Sequence, residues 1–182
     1  MPLNREKQSV RYQLLITGFI ALCILLTSAC GYQFSSSGEH IDKNLQTVFV
    51  DTFTNATSEA NIENSVRNAF IDQFIRGKRF KITNSKETAD VLLAGRINNL
   101  TTAPLSYKKD NLAAEERMTI SMELILEEKS NRKILWTDKS FSSTQDYVFT
   151  DLNNREQNRK NALIKLSNDS AEKAYRLMMS DF

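Results

Sequence analysis

Histidine occurs once in this chain, cysteine and proline twice each, and glycine five times. Each scarcity closes off a class of chemistry. His40 lies in a polar, small-residue stretch, whereas a nucleophile's base must be rigidly oriented. A zinc site needs three or four ligands, and one histidine without spare thiols leaves only carboxylates. Glycine is too sparse and scattered for a phosphate-cradling loop. Paired carboxylates are the remaining route, toward glycoside hydrolysis. The acids, however, fall at helix starts, turns and the polar side of a strand, which is the pattern of a solvated surface. No enzymatic activity and no cofactor are expected. Long apolar runs are also missing after Leu26. The one run present, Leu14–Leu26, is shorter than the roughly 20 residues a membrane span needs.

What that run does fit is an export signal. Arg5, Lys7 and Arg11 precede it against a single acid, Glu6, and small residues follow at Thr27, Ser28 and Ala29. Leu26-Thr27-Ser28-Ala29-Cys30 resembles a bacterial lipobox, although Thr27 stands where leucine is commonest. The resemblance implies cleavage before Cys30 and thioether lipidation of that residue. A plain secreted chain would instead carry an unpaired thiol into an oxidising compartment, which is unusual. Cys23 leaves with residues 1–29, so the folded part is expected to hold no disulfide. Gly31, by resemblance to enterobacterial lipoproteins, favours the outer membrane over retention. Several acyl chains on Cys30 make a permanent membrane anchor.

Removing residues 1–29 takes three basic residues and one acid from totals of 24 and 22, leaving the signs balanced. A nucleic-acid footprint needs clustered positive charge, so no nucleic-acid partner is expected. Residues 30–46 read as the lipidated start and a linker, with Ser35-Ser36-Ser37-Gly38 at its centre. Tyr32 and Phe34 are its apolar exceptions, able to pack on bilayer, domain or partner. Residues 47–182 suit one domain.

Thr47–Phe53 reads as a strand. Thr57 or Ser58 is the candidate N-cap of a helix striped by Ile62, Val66, Phe70 and Phe74 and closed by Gly77. Phe80–Ile82 is a short strand. From Ala89 another strand puts Val91, Leu93, Gly95 and Ile97 on one face, with Pro104 marking its end. Met118, Ile120, Met122, Leu124 and Leu126 alternate with Arg117, Thr119, Ser121, Glu123 and Glu127, a half-buried strand whose polar face Ile125 interrupts. Residues 129–132 turn, and Lys133–Phe141 returns as the hairpin partner; Trp136 is read as core rather than an interface anchor. A last helix starts near Asn153, which has capping-box spacing to Glu156, and turns Leu163, Leu166, Ala174, Leu177 and Met178 inward. Strands bunched between two helices predict an α+β domain: a single mixed, mostly antiparallel sheet with both helices on one face. The other face is expected to be partly polar.

Several short motifs in this order resemble the LptE family of lipopolysaccharide-assembly lipoproteins. They are Cys30-Gly31-Tyr32, Phe53-Thr54-Asn55-Ala56-Thr57, Ala89-Asp90-Val91-Leu92-Leu93-Ala94-Gly95, Lys133-Ile134-Leu135-Trp136 and the closing helix from Glu156 to Phe182. The resemblance implies an outer-membrane lipoprotein that plugs the β-barrel protein LptD and helps lipopolysaccharide reach the outer leaflet. Direct contact with lipopolysaccharide is then an expectation for Lys108, Lys109, Arg132 and Lys133, whose cations in inter-strand loops suit lipid A phosphates. The opening strand-turn-helix also looks like lipoproteins that activate peptidoglycan synthases in the periplasm. Against that alternative stands the short tether, without the long proline-rich linker such reach requires.

Overall fold

The computed structural model describes residues 41–107, 113–148 and 154–180. The expected signal segment, Cys30, Tyr32, Phe34, Lys108, Lys109 and Asn153 lie outside them.

Eight elements follow one another: β1 (Thr47–Val50), β2 (Thr54–Asn55), α1 (Ile62–Gly77), β3 (Lys81–Ile82), β4 (Val91–Tyr107), β5 (Ala113–Glu128), β6 (Ile134–Val148) and α2 (Arg155–Met179). The strands form one sheet in the order β3-β1-β4-β5-β6, with β2 also paired to β4. Pairing is parallel among the short strands, where β1–α1–β3 makes a crossover, and antiparallel across the three long ones. This is the expected α+β architecture, a mixed sheet with two helices over one face.

The side-chain period of two decides which face is covered. Met118, Ile120, Met122, Leu124 and Leu126 on β5 are all wholly buried, as are Val91, Leu93 and Ile97 on β4. Each contributes roughly 1.5–3 kcal/mol when removed from water. Arg117, Glu123 and Ile125, on the other side of β5, are exposed. Ile62, Val66, Ala69, Phe70 and Phe74 of α1 and Leu166, Ala171, Ala174 and Met178 of α2 close the core. Phe53 stacks on Phe70 with ring centroids 5.4 Å apart, and Phe74 meets Tyr175 edge-on at 5.3 Å, joining α1 to α2. Trp136 is half-buried and packs against this core.

Four local expectations are corrected. The N-cap of α1 is Asn61, in a left-handed conformation and without a side-chain cap, rather than Thr57 or Ser58. Those residues belong to a turn organised by Asn55, whose Oδ1 accepts from the Thr57 N–H while its Nδ2 donates to Glu59 O and Glu63 Oε2. At the other end of α1 the left-handed residue is Lys78, not Gly77. Gly77 is needed for close approach instead: a Cβ there would fall inside the Tyr175 ring and hydroxyl. Pro104 does not end β4, which runs to Tyr107. β1 and β2 stop pairing at Ile97, so beyond it β4 is an edge strand that tolerates a missing N–H. Finally, Ile41–Gln46, assigned to the linker by composition, are fastened to the domain. Ile41 is buried, and Arg79 donates to the carbonyls of Ile41, Asp42 and Leu45.

Candidate functional site

Three surfaces of the domain carry chemistry worth weighing. The first is the uncovered sheet face. A bulge between Ile97 and Asn99 shifts the register, after which polar residues line up across the long strands. Asn99 lies beside Ser121 and Ser121 beside Ser142; Thr101, Thr119 and Thr144 form the next row; Arg117 and Asp146 pair in the one after, at 2.7 Å. That ion pair holds the Asp146 carboxyl below its usual range, chiefly through the hydrogen bond from Arg117. Nearer the other end, Arg96 donates to Asn98 and Asn98 to Glu123. The face is therefore rich in hydroxyls and amides, with Arg117 and Asp146 paired on it and Arg96 linked to Glu123 through Asn98.

The second is a cleft of about 390 Å³ at the start of α2, lined by Thr102, Glu116, Tyr147, Arg155, Glu156 and Arg159. Glu116 is buried on the covered face, accepting from the Tyr147 hydroxyl and from Arg155 at 2.7 Å. Arg159 reaches across to Glu59 on the turn before α1. Burial first, and the Glu116 hydrogen bond second, push the Tyr147 hydroxyl up to about 12. The buried Glu116 carboxylate is matched by Arg155 and the Tyr147 hydroxyl, so the cleft is built around a structural ion-pair network. Glu116 shares the even-numbered parity of Met118 to Leu126, so its inward position was readable from the alternation.

The third surface is the end of the sheet where β1 begins. Asp90 accepts from the N–H groups of Gln46 and Thr47 and from the Thr47 hydroxyl, and these hydrogen bonds lower its pKa. Lys129 N–H donates to the Asp90 carbonyl, tying the β5–β6 turn to the same place. Arg132, left-handed at φ 58°, and Lys133 protrude from that turn and are exposed. Tyr107 and Ala113, which flank Lys108 and Lys109, sit at the opposite end of β5. Sixteen residues of strand at about 3.4 Å each separate the two ends. Arg132 and Lys133 thus lie at the end of β5 away from Tyr107, and Lys108 and Lys109 fall outside the described residues. Among the described residues no group of three or more His, Cys, Asp or Glu side chains could hold a metal ion. No described helix is long and apolar enough to cross a membrane.

Two of the sequence motifs acquire physical roles in this geometry. Asn55 shapes the turn into α1, and Asp90 fastens β1 to the long hairpins; both are structural. A family model described as lipopolysaccharide-assembly LptE matches residues 45–178, most of the described domain. The chain belongs to the LptE family. No curated protein sequence matches it. Among solved structures, a Xanthomonas campestris protein aligns with a TM-score of 0.54 at 9% identity, covering 74% of this chain and 83% of its own. A hypothetical protein from Chlamydia trachomatis aligns at 0.51 and 8% identity, covering 75% and 99%. At such identities these likenesses concern the fold alone. For an LptE-family chain, lipopolysaccharide assembly is the established general role.

Proposed function

We propose that this protein is an outer-membrane lipoprotein, lipidated at Cys30, that plugs the LptD β-barrel and assists its assembly for lipopolysaccharide transport. The observation that carries the reading is the uncovered face of β4, β5 and β6. That face is long, polar and hydroxylated, and a wide outer-membrane barrel offers it a polar interior to meet. Asn99, Thr101, Thr119, Ser121, Ser142 and Thr144 offer donors and acceptors without net charge, matching a polar wall at little desolvation cost. The role is one of shape and hydrogen bonding, and it calls on no catalytic residue, cofactor or nucleic acid. The domain division follows from the same reading: residues 1–29 as the lipoprotein signal, a lipidated tether from Cys30, and one plug domain.

The test is what co-purifies from detergent-solubilised outer membranes. A large β-barrel protein in stoichiometric amount is expected, with depletion leaving that barrel misassembled and the cell surface short of lipopolysaccharide. A peptidoglycan synthase in its place would overturn the reading.

A further inference from the structure

We infer that the end of the domain that receives the tether is a membrane-contacting surface, resting on anionic phospholipid headgroups through Arg132 and Lys133, with Ile134 at the acyl boundary. The inference rests on the lipidation of Cys30 proposed above, and goes beyond the plug role.

The chain outside the described residues meets the domain at a definite place. Ile41 is buried, and Arg79 grips three carbonyls between Ile41 and Leu45, so the tether cannot peel away before residue 41. From Cys30 to Ile41 the chain advances by eleven residues. Fully extended it reaches at most about 37 Å. The long strands exceed that reach, at about 53 Å for β5. The end holding Ile41 is therefore held close to the bilayer while the β4–β5 end is free to lie far from it.

That near end also has the charge and apolarity a lipid surface attracts. Lys81 pairs with Thr47 at the start of the sheet, and the β5–β6 turn is bound to Asp90 in the same region. Lys43, Lys81, Arg132 and Lys133 are exposed there, with no ion-pair partner among the described residues. The acids of this end, Asp42, Glu87, Asp90, Glu127 and Glu128, keep their charge, but none falls between Lys129 and Ile134, so the tip of the turn itself is cationic. Next to the two cations on the turn, Ile134 is 56% exposed. Two cations followed by an aliphatic side chain on a protruding hairpin can place charge at phosphate depth and a side chain just beneath. With the domain's net charge balanced, the two cations at the tip of the turn are what orients it, since such attraction fades within a Debye length of about 8–10 Å.

The experiment uses the full lipoprotein, its acylation confirmed by intact mass, in vesicles of phosphatidylethanolamine and phosphatidylglycerol. An environment-sensitive dye is placed on Ile134→Cys, on Ser130→Cys in the same turn, and on Thr119→Cys at mid-sheet. The turn sites should shift to the blue and be quenched by spin-labelled acyl chains, while position 119 stays in water. Arg132→Ser with Lys133→Ser should remove most of the quenching at the turn, as should pure phosphatidylcholine vesicles. Turn sites as wet as position 119 would overturn the inference. So would a signal that arises only when lipopolysaccharide is added, or quenching indifferent to the two cations. Loss of the mass increment would sink the lipidation reading itself, independently of these outcomes.

Discussion

Gly77 and Asp90 show how single residues hold this domain together for reasons other than those their types first suggest. Gly77 closes a helix, yet its backbone needs no special freedom; the Tyr175 ring occupies the space a side chain would take. Gly77→Ala should cost about 1–3 kcal/mol by overpacking, read as a lower denaturant midpoint at unchanged slope. Asp90 fastens the first strand through two N–H groups and a hydroxyl, which lower its pKa in the folded state. A carboxyl depressed by folding contributes stability that is fully present above its unfolded value of about 4. That contribution fades as pH falls through the folded value. Asp90→Asn should therefore lower stability at pH 7 while leaving a smaller further loss on acidification than the parent shows. Equal acid sensitivity in both, by denaturant titration across pH 2–7, would assign it to other carboxyls. Neither role was legible from sequence alone. Asp90 sat in a family-like motif, but its partners, Gln46 and Thr47, come from a segment some forty residues away.

Among the elements, β5 was the most legible and the ends of α1 and β4 the least. Period-two alternation is a local signal, and five wholly buried side chains against a polar opposite face follow from it directly. Leu124→Asp should destabilise by several kcal/mol, because it puts an unpaired charge in the core. Glu123→Ala should stay within about 0.5 kcal/mol. Similar losses for both would mean that the outer face is covered too. The end of α1 and the length of β4 depended on tertiary facts: Tyr175 arriving from α2, and β1 and β2 ending at Ile97 so that Pro104 lies on an edge. The edge of β6 is managed from α2, where Lys173 Nζ donates to the Ser142 carbonyl and Asn158 Nδ2 to the Val148 carbonyl. These side chains occupy acceptors that would otherwise pair with another strand. Lys173→Ala with Asn158→Ala should produce concentration-dependent association by light scattering, whereas a double variant that stays monomeric would mean the edge is protected by other means.

At the scale of the whole molecule, the domain is a two-layer α+β sandwich whose helices seal one sheet face and leave the other as a long polar plane. The fold class and the polar face were both readable from the order of periodic segments, whereas the fastening of Ile41–Leu45 by Arg79 was not. The central claim is that the uncovered face lies against the wall of an outer-membrane barrel. The direct measurement is photo-crosslinking in cells from a photoreactive residue at Thr119, on that face, compared with one at Glu172, on the solvent side of α2. Position 119 should yield an adduct with a large β-barrel protein, much stronger than any from position 172. No barrel adduct from position 119, or an adduct there with a peptidoglycan synthase, would contradict the account.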